Sequence, residues 1–503
     1  MDGGEAPRTS VQLPLPLPEL SFPANESILP PPPRRIYCNR SLRLDRISWI
    51  GFDMDYTLAI YRQREMDRIS IEATVHRLVA RGYPEALREM QYALDFPIRG
   101  LLIDKKLGNV LKMDRYKYVK RAYHGMRELT REERRQHYHT RRLRPGSKRY
   151  HWVDTLYALS EVTIYAAAVQ ELEREGQSVD YHRLFDDVRE CIDEAHRDGS
   201  VPNAIADDPD RFVVRDENLG PTFHKLRSAG KRLFLLTNSQ PDYTERMMSY
   251  LLDGQLPDYP SWRHYFDLVV TASKKPHFFT GDAPFQRVTK EGLEPAKQLE
   301  RGEVYAGGNL ASLERQLAIT GDQILYVGDH IFGDVLRAKK ESGWRTAMII
   351  QEMEEELEIF RGCTEVLQHS DMLMELRDAM HHELRGRQAR LKVIQQVLDA
   401  PDGKADPRAT ELEVARLRHR RAIDKLRARI KAAEDDVAKL EEEIDGAFHP
   451  FWGSLFKAGA EVSSFGDQVE EYACIYTDRV SNLLRYSPMH YFRSPRDRMP
   501  HER

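Results

Sequence analysis

Five short apolar runs recur at long intervals along this chain, and most end in a polar or glycine-containing turn. They are Ile47 to Asp53, Arg232 to Thr237, Phe266 to Thr271, Gln323 to Gly328 and Arg345 to Ile350. Helical patterns lie between them. Strands alternating with helices predict an α/β fold built on a doubly wound parallel sheet, with ligands at the carboxyl ends of the strands. The first gap is too long for a single crossover, so residues 66–205 are expected to form an inserted module beside the first strand, placed to cover a site and read a substrate. Within it, Gly100 to Asp104 and Asn109 to Met113 read as a hairpin around Leu107-Gly108. The stretches Trp152 to Glu175 and Tyr181 to Arg197 read as helices.

The core is then expected over 35–65 and 206–370, with distinct segments on either side. Residues 1–34 are proline-rich, including Pro30 to Pro33, and are expected to form a disordered, extended arm. Over 371–447, Ile423, Leu426, Ile430, Ala433, Val437, Leu440 and Ile444 recur at spacings of three and four, the pattern of a coiled-coil seam. An earlier helix, Met372 to Leu398, joins it through Pro401-Asp402-Gly403 and Pro407, giving an antiparallel helical hairpin. That hairpin either builds an oligomer interface or packs on its own chain. The aromatic-rich residues 448–503 are expected to fold back onto the core.

The formal net charge of −4 gives no global electrostatic case for a nucleic-acid partner. The four cysteines, Cys38, Cys191, Cys363 and Cys474, are scattered and form no CxxC pair, which points to a reducing compartment. No apolar run approaches the roughly 18 residues of a membrane helix, and the first residues lack a basic region followed by an apolar one. A cytoplasmic protein without a membrane partner is expected.

Four clusters fall at or just past the ends of the apolar runs. Asp53 and Asp55 follow the first; two carboxylates so placed repel unless a cation or proton intervenes. Asp53 is the candidate nucleophile, because a carboxylate needs no activating base. Asp55 is the candidate general acid and later base. Thr237, Asn238 and Ser239 follow the second run and open a helix at Pro241, where hydroxyl, amide and backbone N–H groups suit phosphate oxygens. Lys275, in Lys274-Lys275-Pro276, would offset repulsion between Asp53 and a phosphate. Asp329 and Asp334 lie in Gly328-Asp329-His330-Ile331-Phe332-Gly333-Asp334. Asp53, the backbone carbonyl of Asp55 and Asp329 make an oxygen set suited to Mg²⁺. Asp334 would orient waters or hold Lys275, and His330 is assigned a positional role.

The segments DMDYTLAIY, LLTNS, KKPHFF and YVGDHIFGDVLRAKKESGWRT resemble the haloacid-dehalogenase superfamily, and within it the cytosolic purine 5′-nucleotidases that prefer IMP and GMP. The likeness runs from about residue 36 to the SLFKAG and MPHE segments, with the helical hairpin as the main departure. It implies a haloacid-dehalogenase-type, Rossmann-like core with a large inserted cap. It also implies Mg²⁺-dependent hydrolysis of purine nucleoside monophosphates through an aspartyl-phosphate, phosphoryl transfer to other nucleosides, a nucleotide effector and a homo-oligomer. By the same resemblance, Tyr157 would stack on the base, and Arg189, Asp193 and His196 would contact the nucleotide from one helix face. Ala158 stands where the family has an amide, and Pro202 where it has a lysine; both bear on base preference rather than on the reaction. The basic stretch Arg115 to Arg149 would suit a polyphosphate effector or a solvated face. Other readings are a phosphatase for another metabolite and a scaffold carrying a silent hydrolase body.

Overall fold

The computed structural model describes residues 30–139, 143–400 and 407–495. Its centre is a ten-stranded sheet. In chain order the strands are β1 (Tyr37–Cys38), β2 (Trp49–Phe52), β3 (Arg232–Leu236), β4 (Leu268–Thr271), β5 (Phe285–Thr289), β6 (Gly292–Pro295), β7 (Val304–Gly307), β8 (Ile324–Gly328), β9 (Arg345–Ile349) and β10 (Ile475–Thr477). Their order across the sheet is β1-β10-β9-β8-β2-β3-β4-β7-β5-β6. The strands from β10 through β7 in that order run parallel; β1, β5 and β6 pair antiparallel at the flanks. All four residues of β2 and all five of β8 are buried, as strands covered on both faces require. A Cβ on Gly51 would lie 2.1 Å from the Phe234 ring, so glycine is needed for this packing.

The five apolar runs all form strands, at the centre of the sheet. The edge strand β1, the hairpin β5–β6 and the strands β7 and β10 were not expected from the sequence. β10 lies in the C-terminal segment, which therefore extends the sheet as well as covering it.

The insertion leaves and re-enters the core through one antiparallel pair, Ile60–Tyr61 with Val213–Val214. It contains α1 (Gln63–Ala80), α2 (Leu159–Arg174) and α3 (Tyr181–Arg197), together with a five-stranded sheet. That sheet holds the expected hairpin, Leu101–Asp104 with Asn109–Met113. The helix expected from Trp152 starts only at Leu159. Trp152 and Val153 instead pair as a strand with Leu102 and Leu101, and the Thr155 side chain accepts from the Ala158 N–H to open the helical segment.

After β9 come α4 (Met353–Gly362), α5 (Thr364–Leu398) and α6 (Ala409–Phe448). α5 and α6 pack on each other as a hairpin, with Met380, Leu426, Ile430 and Ala433 in its seam. The first hairpin helix begins at Thr364 rather than Met372. Leu440 and Ile444 are only partly buried, because the seam opens at its root. Residues 1–29 of the arm, Pro401-Asp402-Gly403 and the MPHE segment lie outside the described residues. The described end of the arm is tied down: Arg34 pairs with Glu354 and Asp478. Among the described residues, no helix is long and apolar enough to cross a membrane.

Candidate active site

β2 delivers Asp53 to the middle of the sheet, where its N–H donates to the Val327 carbonyl of β8 at 2.9 Å. Oδ1 of Asp53 accepts from the Met54 N–H at 2.8 Å and pairs with Lys275 Nζ at 2.9 Å. The same ammonium meets Asp334 Oδ1 at 2.7 Å and donates to the Tyr326 hydroxyl at 2.8 Å. Asp329, just past β8, brings a third carboxylate: one oxygen each from Asp53, Asp329 and Asp334 lie within 4.8 Å of one another. Burial pushes the Asp53 carboxyl well above the usual range. Lys275 opposes that, and Asp334, Asp329 and Asp55 add to it. Burial, then Asp334, raises Asp329 to about 7. Burial works against the Lys275 charge, but Asp334 and Asp53 hold its proton more tightly than usual. One ammonium among three crowded carboxylates leaves negative charge unmatched. An all-oxygen set of this kind fits a hard divalent cation such as Mg²⁺.

Asp55 turns away from that cluster. Its Oδ1 accepts from the Tyr61 hydroxyl at 2.5 Å, and its Oδ2 accepts from the Ser239 hydroxyl. Tyr61 also meets the Tyr243 hydroxyl at 2.9 Å, on the helix Pro241–Leu252. Burial raises the Asp55 carboxyl, and the two hydroxyl donors partly offset it. The residue between this carboxylate and the rest of its turn, Tyr56, has a left-handed φ of 56°.

The three short polar residues after β3 have their side chains engaged. Thr237 Oγ1 accepts the Ser239 N–H, and the Ser239 hydroxyl serves Asp55. The Asn238 amide clamps the Lys275 loop: Oδ1 accepts from the Lys275 N–H at 2.6 Å and the Ser273 hydroxyl at 2.9 Å, while Nδ2 donates to the Lys275 carbonyl. Asn238 thus fixes Lys275, whose neighbour Lys274 has a left-handed φ of 57°.

These residues open into a cavity of about 820 Å³ between the core and the insertion. Tyr157, Arg189 and His196 line it; Asp193, one turn along α3, does not. Ala158 and Pro202 line it as well. The Tyr157 and His196 rings pack at 4.5 Å. Arg189 donates to His151 Nε2 at 2.7 Å and lies 3.7 Å from Glu161 Oε2. Asp154 of the insertion reaches His330 of the core at 3.0 Å. Burial would lower His330, but the Asp154 hydrogen bond and charge raise it to about 9.

Several supports had not been picked out in the sequence. Arg99 is fully buried and donates to both carboxylate oxygens of Glu352, at 2.8 and 2.6 Å, and to the Asp329 carbonyl at 3.0 Å. Asp154, His151, Glu161 and Tyr243 stand singly among ordinary neighbours, with no local signal. Tyr61 closes the DMDYTLAIY segment, whose pattern alone assigns it no role. The basic stretch 115–149 is largely matched by carboxylates: Arg115 by Asp467 and Glu470, Arg121 by Asp445, Arg134 by Glu128 and Arg149 by Asp104. Arg141 and Arg142 lie outside the described residues.

The model of the 5′ nucleotidase family matches residues 36–503. A 5′-nucleotidase domain-containing protein of Dictyostelium discoideum is 29% identical over 483 residues, which cover 93% of this chain and 75% of the relative. The 5′-nucleotidase domain-containing protein 2 of Rattus norvegicus is 30% identical over 354 residues, covering 67% of this chain and 62% of the relative. The chain therefore spans less than two thirds of the rat protein's length. Among solved structures, a predicted phosphoglycolate phosphatase from Haemophilus somnus 129pt shares 12% identity, covers 60% of this chain and 85% of its own, and has a TM-score of 0.28.

Proposed function

This chain belongs to the 5′ nucleotidase family of phosphoric monoester hydrolases, and we propose that it hydrolyses purine nucleoside 5′-monophosphates of the IMP and GMP type to nucleoside and phosphate. One observation carries the reading: Asp53, Lys275, Asp329 and Asp334 converge at the floor of a cavity large enough for a nucleotide, whose roof holds Tyr157, Arg189 and His196.

Oδ1 of Asp53 is taken by the Met54 N–H and Lys275, so Oδ2 is the oxygen that attacks phosphorus. The P–O bond to the ribose 5′ oxygen breaks as Asp55 hands that oxygen a proton. Asp55 then takes a proton from the water that attacks the aspartyl-phosphate, releasing phosphate and restoring Asp53. The Tyr61 and Ser239 hydroxyls hold Asp55 in place through both transfers. Lys275 balances the charge of the incoming phosphate beside Asp53. Asp53, Asp329 and the Asp55 carbonyl would hold Mg²⁺, with Asp334 anchoring Lys275 beside them. Bound there, the cation would supply Lewis-acid stabilisation of the phosphoryl group. Backbone N–H groups at the start of the helix Pro241–Leu252 suit the phosphate oxygens better than the Thr237, Asn238 and Ser239 side chains, which are engaged elsewhere. A nucleoside in place of water would make the same intermediate a phosphotransferase. The scattered cysteines, with no CxxC pair among them, suit a cytoplasmic setting.

Initial rates on IMP, GMP, AMP and ribose 5-phosphate, with Mg²⁺ and with chelator, test this. Preference for a purine monophosphate and loss of rate with chelator are expected. Equal rates on ribose 5-phosphate would overturn the nucleotidase reading.

A further inference from the structure

The hairpin of α5 and α6 changes the sign of its charge halfway along. In its outer half, residues 385–398 and 409–431, lysines and arginines outnumber acids twelve to three. In its inner half, residues 364–384 and 432–448, acids outnumber them twelve to two. His381 faces Glu434 at 3.7 Å, so both helices switch sign at one level. The body answers the innermost acids: Arg121 pairs with Asp445, and Lys120 stands near Glu441.

The face of α5 turned away from α6 is exposed at 371–372, 375, 378–379, 382, 385–386, 389 and 392–393. Asp371, Asp378, Arg385 and Lys392 recur along it every seven residues, two acids and then two cations. Beside them run Met372, Ala379, Gly386 and Val393. We propose that two copies of the chain pair through this face, α5 against α5, antiparallel about a twofold axis near His382. The reversal of charge carries the proposal. Antiparallel pairing lays each acidic half on a basic half, whereas parallel pairing sets like charges together. It brings Asp371 to Lys392 and Asp378 to Arg385 of the second copy, each contact made twice by symmetry. Among the described residues Asp371, Arg385 and Lys392 have no ion pair, and Asp378 has Arg377 of its own helix at 2.8 Å. The same register sets Met372 on Val393 and Ala379 on Gly386, over about 30 Å of helix. Glycine weakens a helix interior, and a Cβ at Gly386 would meet nothing within 4 Å in its own chain. A helix crossing closely from a second copy gives that glycine a use. A polyanion would engage the basic half alone and leave the matching acidic half without a role.

Sedimentation of the full chain tests this with two charge-reversed forms. One carries Asp371→Lys and Asp378→Lys, the other Arg385→Glu and Lys392→Glu. The natural chain should sediment as two chains or a multiple of two. Each reversed form alone should fall to half that mass, its dissociation constant raised on the order of 100-fold. Mixed in equal amounts, the two forms should regain the natural mass, because every reversed pair again unites opposite charges. Gly386→Trp, which blocks close approach and touches nothing in its own chain, should also lower the mass. A natural chain that stays single, a mass that none of these changes alters, or two forms that fail to reunite on mixing would overturn the proposal. So would association seen only with added heparin, which would assign the basic half to a polyanion.

Discussion

Lys275 Nζ stands 2.9 Å from Oδ1 of Asp53, an ion pair that ties the loop after β4 to the loop after β2 across β3. The pair occupies one oxygen of the nucleophile and leaves the other. Asp53→Asn removes the covalent step while keeping the shape of the site. Turnover falls at least ~1000-fold, and IMP binding measured by equilibrium dialysis is retained.

Lys275→Met takes the only ammonium out of a cluster of three carboxylates. Uncompensated buried charge of this kind costs about 3–5 kcal/mol. Denaturant melts should show the loss without metal and a partial recovery with millimolar Mg²⁺, because a divalent cation takes over the missing charge. Equal stability with and without Mg²⁺ would argue against the carboxylate cluster as the cation site.

Arg99→Gln leaves Glu352 unpaired and removes the donor to the Asp329 carbonyl. The Asp329 loop loosens while Asp329 itself is kept. The Mg²⁺ concentration for half-maximal rate rises on the order of tenfold, with kcat at saturating metal less affected. Metal titration of the initial rate reads this directly.

Tyr61→Phe deletes one of the two hydroxyls that orient Asp55. A single hydrogen bond to a charged group is worth about 1.5–3 kcal/mol, so kcat drops roughly 10- to 150-fold. KM for IMP changes little, since Tyr61 acts through Asp55. A fall in kcat/KM carried by KM alone would place Tyr61 in substrate binding instead.

Glu356 is raised by burial to about 7 in the folded chain, against an ordinary value of 4.5, while the Leu455 N–H and Ser454 hydroxyl pull the other way. The folded state therefore holds this proton more tightly than the unfolded state does. Its contribution to stability is fully present below pH 4.5 and is lost as pH rises through 7. Glu356→Gln keeps an amide acceptor for the Leu455 N–H and lets the Ser454 hydroxyl reverse its role. Thermal melts from pH 5 to 8 should show a flatter decline for the variant than for the natural chain.

The sheet centre was legible because β2, β3, β4, β8 and β9 are buried on both faces and read as continuous apolar runs. Asp53, Lys275 and Asp329 were legible because each sits just past such a run. β7 and β10 were not: Val304–Gly307 and Ile475–Thr477 are short, and only their neighbours make them strands. Trp152 and Val153 carry strand preference, yet they adjoin the long helical pattern of Leu159–Arg174, which masks it. The engaged Asn238 and Ser239 side chains show a different limit. Sequence reveals which polar groups stand at a strand end, but the partner that uses each one is set by loops far away in the chain. Asp193, one turn from Arg189, bears on the Tyr157 hydroxyl by its charge without lining the cavity itself, a distinction that helix spacing alone does not make.

The outermost parallel row, Ile475–Thr477, pairs with Ala347–Ile349 and carries Tyr37–Cys38 on its far side. A ribosome has therefore emitted every catalytic loop long before that row exists, and the nascent chain waits with one flank of its sheet bare. Nonsense changes between residues 353 and 474 should consequently yield insoluble protein rather than a shortened, partly working enzyme, even though they remove none of the reacting groups.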